Sequence, residues 1–376
     1  MSNFRNSNIK GKKRCAVGLS GGVDSSVAAY LLKEKGYDVT GVFIQCWDAK
    51  ADGCKADEDR ASAVAVSSRL GIKFEHLDYI KQYESKVIDY FYKEYEAGRT
   101  PNPDTLCNKE IKFGLFFDWA MNHGFDCVAT GHYARVKCKG GVNYLLRGRD
   151  SKKDQSYFLY LLGQKHLSRT LFPLGVLKKA EVRETAKKAG LSTYNRPDSM
   201  GICFIGEVDI KDFLKKRISE KAGDVVLANG DIVGKHEGVW FYTIGQRHGF
   251  KVNRYFGVPM YIVGKNVDKN ELIVGPEKDA YTSKFNVSGA HWISGVPARL
   301  RGPACAGRPS DGFDCQVRIR HLGEFYRAHL NLESDKSMNV SLQEPAFAVT
   351  PGQIAVFYDK DIVLGGGIIE GSVSEN

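Results

Sequence analysis

Residues Ser20-Gly21-Gly22-Val23-Asp24-Ser25-Ser26 follow an apolar run, Cys15 to Leu19, and open a stretch with Val27, Ala28, Leu31 and Leu32 on one helical face. A strand that passes through a small-residue loop straight into a helix commits this part of the chain to a βα unit, with the loop at the strand's carboxyl end. The first N–H groups of the helix have no partner within it, and the positive end of its dipole faces the same point, so an anion fits there. Gly21 and Gly22 permit close approach, Ser20, Ser25 and Ser26 add hydroxyls, and Asp24 offers a carboxylate for a magnesium ion. A loop that handles a terminal phosphate ends in Gly-Lys-Ser/Thr. No lysine stands in this one, which points to attack at an α-phosphorus, with ATP converted to AMP and pyrophosphate. The alternative is a plain Gly-Ser turn, and the order strand, loop, helix favours the phosphate site.

The same alternation continues to about residue 135. Strands at Val39–Ile44, Ile72–Leu77 and Cys127–Thr130 alternate with helices near 57–70 and 82–97 and one carrying Ile111, Leu115, Trp119 and Ala120. Repeated βα units predict a doubly wound parallel sheet. Helical stretches follow at Ser156–Leu162 and Ala180–Ala189. From about residue 223 short β-like runs separated by turn residues take over, among them Val239–Ile244, Tyr261–Val263, Glu271–Val274, Gln316–Ile319 and Gln353–Tyr358. The expectation is an α/β protein with three parts: an N-terminal PP-loop domain over 1–206, a small β domain over 207–284 and a C-terminal β-barrel over 285–376.

A chain of 376 residues exceeds what one core holds, in agreement with several domains. Its 54 Lys plus Arg against 44 Asp plus Glu leave a net charge of +10, which suits a polyanionic partner. No apolar run approaches the ~18 residues of a membrane span, so no membrane partner is expected. No signal peptide is visible, and the first fourteen residues, with five Lys or Arg and no acid, read as a basic arm. A cytoplasmic location is expected. Nine cysteines without CxxC pairs speak against a disulfide scaffold and a structural metal. Cys15, Cys127, Cys305 and Cys315 lie in strand-like contexts and read as core; Cys46, Cys54 and Cys138 are left unassigned.

Two thiols stand apart. Cys107 ends Thr100-Pro101-Asn102-Pro103-Asp104-Thr105-Leu106-Cys107-Asn108, where two prolines fix the entry, Asp104 or Thr105 can cap a helix, and Cys107 falls in its first turn. A helix N-terminus favours thiolate, and a polar loop of this kind is expected to display its thiol instead of burying it. Cys203 lies in Asp198-Ser199-Met200-Gly201-Ile202-Cys203-Phe204-Ile205-Gly206. Two readings stand for it, a partly exposed thiol or a core residue beside Ile202 and Phe204. Two thiols on separate loops beside a nucleotide site suit sulfur chemistry, one carrying a persulfide and the other attacking or resolving it.

Across nearly its full length the chain resembles the tRNA-specific 2-thiouridylases. The likeness rests on Gly18-Leu19-Ser20-Gly21-Gly22-Val23-Asp24-Ser25-Ser26, Asn102-Pro103-Asp104 with Cys107-Asn108, Gly131-His132-Tyr133, Lys153-Asp154-Gln155-Ser156-Tyr157, Gly201-Ile202-Cys203-Phe204-Ile205-Gly206, Tyr242-Thr243-Ile244-Gly245-Gln246-Arg247 and Pro351-Gly352-Gln353. The resemblance implies an adenine-nucleotide alpha hydrolase-like fold and replacement of the 2-oxygen of a wobble uridine by sulfur. It implies that Gly18, Leu19, Ser20, Gly21, Gly22, Val23, Asp24, Ser25, Ile44 and Gly131 bind ATP with Mg2+, and that Asn102, Pro103 and Asp104 meet the target base. Cys107 is then the nucleophile and Cys203 the persulfide carrier, with a disulfide between them left for reduction. His132, Lys153, Asp154, Gln155, Arg320, His321 and Gln353 fall at tRNA-contacting positions. Implied partners are the tRNA anticodon loop and a sulfur-relay protein or cysteine desulfurase. Asp104 has two readings, proton transfer at the base or a helix cap, and His132 two, a phosphate contact or a satisfied core histidine. The chain departs from the family pattern at His248, where Lys is common, and at Arg320-His321, where Arg-Tyr is frequent.

Two rivals remain at this point. A ligase or amidotransferase acting on a small molecule would need neither Cys107 nor Cys203. A tRNA-binding protein without catalysis would need no phosphate loop.

Overall fold

The computed structural model describes residues 11–47, 56–198, 203, 205–206, 209–297, 312–334 and 336–372. The basic arm before residue 11, Cys54, Cys305 and most of the loop around Cys203 lie outside them.

The N-terminal sheet contains β1 (Arg14–Gly18), β2 (Asp38–Gln45), β3 (Lys73–Asp78) and β4 (Cys127–Ala129), the four strands expected from the apolar runs. Further along the chain, β5 (Ala134–Lys139) and β6 (Val142–Arg147) form a hairpin, and β7 (Thr170–Leu171) returns to the sheet edge. The order is β3-β2-β1-β4-β7 and all pairs are parallel. Helix α1 (Val23–Glu34) buries Val23, Val27, Ala28, Ala29 and Leu32, and α2 (Ala56–Leu70) buries Ala63, Val66 and Leu70; both close one sheet face. On the other face, helical residues 80–96 and 103–122 bury Tyr83, Val87, Phe91, Ile111, Phe116 and Phe117. Each of these two helices contains a wide π-helical stretch, Glu84–Ile88 and Asn108–Leu115.

The central domain is a five-stranded sheet of β8 (Gly223–Val226), β9 (Ile232–His236), β10 (Lys251–Val252), β11 (Met260–Asn266) and β12 (Glu271–Pro276), in the order β10-β9-β8-β12-β11. Its Val225, Val233, Ile262, Leu272 and Val274 share one apolar core with Phe91, Tyr95 and Cys107. The expected strand at Val239–Ile244 is instead a 3-10 turn, Val239–Phe241. Gly238 sits at φ +142° and the Val239 N–H donates to Asn270 Oδ1 at 3.0 Å, so the chain bends where the apolar residues alone suggested extension.

The C-terminal part is a closed barrel of β13 (Tyr281–Trp292), β14 (Phe313–Arg318), β15 (Tyr326–Ser334), β16 (Ser337–Phe347), β17 (Ile354–Asp359) and β18 (Ile362–Ser372). The order β13-β16-β15-β14-β17-β18 closes through β13–β18 pairing, and closure removes the open edges that would template aggregation. The β5–β6 hairpin extends this barrel, with Leu146 opposite Ile362 and Leu145 opposite Val363. A Gly140-Gly141 turn, φ +59° and +80°, makes that hairpin, and Gly-Gly between two strand-like runs was a readable signal for it. Because of the hairpin, Leu145 and Tyr157 share a core with Ile354, Val356 and Tyr358. The barrel is thereby held against the carboxyl end of the parallel sheet.

Candidate functional site

The glycine-serine loop has the geometry of an anion cradle. Gly22 precedes α1 in extended conformation, and Gly21 adopts φ +74°. A side chain at Gly21 would meet the Asp59 carbonyl oxygen at 2.4 Å. The Ser20 N–H donates to Ser25 Oγ at 3.1 Å, and Ser26 Oγ donates to the Gly22 carbonyl at 2.7 Å. Gly131 brings the end of β4 onto the first turn of α1: a Cβ there would lie 2.7 Å from the Ser25 nitrogen. Gly18, Leu19 and Val23 enter and leave the loop, and Ile44 lies buried near the carboxyl end of the neighbouring strand β2. The expected nucleotide residues therefore lie at or near the carboxyl ends of β1, β2 and β4, with Ile44 packed in the core on the sheet face opposite Leu19 and Val23.

Tertiary structure supplies the cations that the loop lacks. Lys179, first residue of the helix Lys179–Lys188, places Nζ 2.8 and 2.7 Å from the two Asp24 oxygens, and the Tyr133 hydroxyl donates to Asp24 Oδ1 at 2.8 Å. Lys179 also pairs with Asp198 at 2.9 Å, where Arg183 and Lys153 join it. Burial pushes the Asp198 carboxyl up, but Lys153 and Lys179 outweigh it and hold the group down at about 2. Arg196 donates to the Gly21 carbonyl at 2.7 Å and pairs with Asp59 at 2.8 Å. These cations suit the phosphates of ATP. The fit to magnesium is different: Asp24 already has a lysine and a tyrosine on it, and among the described residues no cluster of His, Cys, Asp and Glu forms a metal cage. Lys153, placed by its motif among tRNA contacts, sits in this phosphate-side cluster.

Cys107 and Cys203 come together beyond the same sheet end. The Cys107 thiol is close enough to act on the ionisation of Cys203, and both cysteines are free. Asn102, not Asp104 or Thr105, caps the helix, accepting from the Thr105 N–H at 3.3 Å ahead of Pro103 at the first position. Asp104 is thus released from capping, and its Oδ1 accepts from the Cys203 N–H at 3.1 Å. The Tyr83 hydroxyl donates to the Cys203 carbonyl at 2.7 Å, so both backbone polar groups of Cys203 are fixed. Cys107 is fully buried, contrary to the exposed thiol expected of a polar loop, because the helix that starts at Pro103 carries it into the apolar core that also holds Ile111 and Phe116. Cys203 is half-buried. The neighbouring Cys107 thiol, burial and the Asp104 carboxylate all push its thiol far above the usual range, and Lys112 opposes them.

Other motif residues hold the domains together. Gln353 donates to the carbonyls of Thr100 and Pro101 at 2.9 and 3.3 Å, and the Thr100 N–H donates to the Pro351 carbonyl at 2.9 Å. Thr100 Oγ1 lies 3.1 Å from Thr243 Oγ1. Three motifs far apart in sequence thus converge on the loop that leads to Cys107. Asp154 is fully buried, accepting from the Gly148 and Ser156 N–H groups and from Arg318 at 3.2 Å, with Arg147 at 3.5 Å. Gln155 Oε1 accepts from the Tyr133 N–H. His132 is buried, with Nδ1 2.7 Å from Thr130 Oγ1 and its ring against Phe113 and Phe172; burial and Lys112 keep it neutral. In this geometry Asp154, His132 and Gln353 serve protein contacts. Arg320 is exposed, while burial moves the neighbouring His321, packed on Phe158, down to about 4. A cleft of about 650 Å³ between the two β domains, lined in part by Lys265, Lys278 and Lys284, adds positive charge on the same molecule. Of the cysteines read as core, Cys15 and Cys127 are buried in β1 and β4 and Cys315 is half-buried in β14.

A parallel α/β domain with a lysine-free phosphate loop, a buried thiol pair at the same strand ends and two appended β domains defines a nucleotide-type α/β protein equipped for thiol chemistry. Family models agree domain by domain: tRNA methyl transferase HUP domain over residues 13–207, tRNA methyl transferase PRC-barrel domain over 211–276 and Aminomethyltransferase beta-barrel domain over 282–369. The tRNA-specific 2-thiouridylase MnmA of Halalkalibacterium halodurans is 45% identical over 363 residues, covering 95% of this chain and 94% of that protein. The one from Geobacillus thermodenitrificans is 46% identical over 362 residues, with the same coverage. Among solved structures, the U34-tRNA thiolase NcsA from Methanococcus maripaludis is 21% identical, covering 55% of this chain and 67% of that one, with a TM-score of 0.35. The chain belongs to the tRNA-specific 2-thiouridylase family.

Proposed function

We propose that this protein is a tRNA sulfurtransferase that converts the 2-oxygen of a wobble uridine to sulfur, consuming ATP, in the cytoplasm. The observation that supports it most directly is the thiol pair: Asp104, three residues before Cys107, holds the Cys203 backbone at 3.1 Å and so brings the two cysteines together near the phosphate cradle. Methyl transfer, the term in the family description, would leave that pair without a task.

The chemistry follows from the groups. A carbonyl oxygen leaves poorly, so the uridine 2-oxygen first attacks the α-phosphorus and pyrophosphate departs. The loop N–H groups, Lys179 and Lys153 would hold the phosphate charge, and magnesium bound with the nucleotide would add to that charge neutralisation. A relay protein or desulfurase loads sulfur on Cys203. The terminal sulfur of that persulfide attacks C2, and the oxygen leaves in AMP. Cys107 then attacks the Cys203 sulfur, the thiocarbonyl is released, and the resulting disulfide is reduced by an external dithiol. Asn102, Pro103 and Asp104 line the approach to the thiols and meet the base. An anticodon loop suits the site because its bases can be splayed from the stack, and Arg320 with the barrel lysines grips the backbone.

The test is mass spectrometry of nucleosides from tRNA incubated with the protein, ATP, magnesium and a persulfide source. ATP-dependent 2-thiouridine, lost in Cys107→Ser and Cys203→Ser, is the expected result. AMP release on a small acceptor without tRNA would replace this reading with a ligase, and tRNA binding without AMP release would replace it with a binding protein.

A further inference from the structure

We propose that Lys112 is the residue that favours the anionic form of the Cys203 sulfur, and that without its charge Cys203 takes up sulfur more slowly at neutral pH. This rests on the persulfide reading above.

Lys112 Nζ lies 3.7 Å from Cys203 Sγ, within reach of a charge-assisted contact. The contact is created by an irregular helix. Cys107 and Lys112 are five residues apart, which at α-helical spacing would put them about 140° apart around the axis. The Asn108–Leu115 stretch is π-helical, with hydrogen bonds five residues apart, and this wider turn brings Lys112 back toward the face that carries Cys107. Gly114 accommodates the wide turn: a Cβ there would lie 2.9 Å from the Lys109 carbonyl oxygen. π-helical turns recur at functional sites.

The surroundings make a cation necessary. From the residue just after β2 comes buried Cys46, from helical residues 80–96 the Tyr83 hydroxyl, from 103–122 Asp104 and Cys107, and from beyond the end of β4 the neutral His132. Each thiol, phenol and carboxyl in that set is neutral or negative, and burial alone disfavours a thiolate. Lys112 opposes the rise that burial imposes on both Cys203 and Cys46. Burial disfavours its own charge, but Cys203, Cys107 and Asp104 more than restore it. The step it serves balances simply. The Cys203 thiolate attacks the outer sulfur of a donor persulfide, a new S–S bond forms on Cys203, the donor S–S bond breaks, and the donor leaves as thiolate with the electron pair. No net oxidation occurs.

The experiment measures Cys203 alkylation by iodoacetamide against pH in a Cys46→Ser, Cys107→Ser background, alongside loading of 35S from a persulfide donor. Lys112→Met is expected to slow alkylation at pH 7.5 at least tenfold and move the profile upward by one pH unit or more, with 35S loading reduced in parallel. Lys112→Arg, which keeps the charge, should stay within about threefold and guards against a folding defect. An unchanged alkylation profile in Lys112→Met would overturn the inference while leaving the thiolation reading intact. Absent 35S loading in the otherwise native chain, with the alkylation shift present, would instead overturn the persulfide reading and keep the thiolate assignment.

Discussion

Gln353, in the turn before β17 of the C-terminal barrel, donates its side-chain amide to the carbonyl of Thr100, at the entrance to the loop that leads into Cys107. The same amide reaches the Pro101 carbonyl, and Gly352, at φ +89°, packs so tightly on Thr100 that a Cβ would lie 2.9 Å from its nitrogen. The barrel therefore sets the position of the loop carrying Asn102, Pro103 and Asp104. Each such neutral hydrogen bond contributes about 0.5–1.5 kcal/mol. Gln353→Ala is expected to reduce thiolation about tenfold with ATP affinity unchanged, and hydrogen exchange over residues 99–104 should speed up. Unaltered exchange there would show that the loop holds its place without the barrel.

Gly131 is decided by space alone. Any side chain at this position meets the Ser25 nitrogen and the Asp24 carbonyl carbon at 2.7 and 2.9 Å, and neither backbone atom can retreat without distorting the first turn of α1. Gly131→Ala should weaken ATP binding at least tenfold in calorimetry while the melting temperature falls only modestly. Wild-type affinity in this variant would remove Gly131 from the nucleotide site.

Asp154 joins three segments. It is fully buried and receives Arg318 from the barrel and Arg147 from the hairpin, whose guanidinium groups both stack on Phe325 at 4.0 and 4.4 Å. Removing one partner of a buried ion pair strands the other charges, at a cost of about 3–5 kcal/mol. Asp154→Ala is accordingly expected to lower the denaturation midpoint strongly, with barrel and N-terminal domain losing their shared transition. A loss confined to tRNA affinity would return Asp154 to the direct contacts that its motif implies.

Lys265 carries a pH signature. Burial moves it down to about 8, while its ammonium donates to the Tyr242 carbonyl at 2.8 Å. An unfolded lysine titrates near ~10.4. Between those values the unfolded chain holds a proton that the folded chain has released, so this group makes stability rise with pH across that window, and its penalty is fully present below it. Stability of the wild type relative to Lys265→Met should therefore increase from pH 8 to pH 10 in urea titrations. A flat difference would contradict the shift.

Much of the site was legible because its chemistry is local. The Ser20–Ser26 loop needs only a strand before it and a helix after it, so residue type and order identify the cradle, and apolar runs identify β1 to β4 to within a residue or two. The reading of Asp104 as a cap failed for a local reason as well: Asn102 stands one position ahead of Pro103 and takes that task. What could not be read is everything that depends on which distant segments share a surface. Nothing in the composition ties Lys179 to Asp24, Asp154 to two arginines, or Gln353 to Thr100. Helical periodicity even separates Cys107 from Lys112, because the Asn108–Leu115 stretch adopts a π-helical register that α-helical spacing does not anticipate. Short-range sterics and hydrogen bonding thus made the fold class and the strand-loop-helix unit legible from the sequence alone, whereas burial and the pairing of charges, which arise only when remote segments exclude water together, decided the surroundings of the candidate groups.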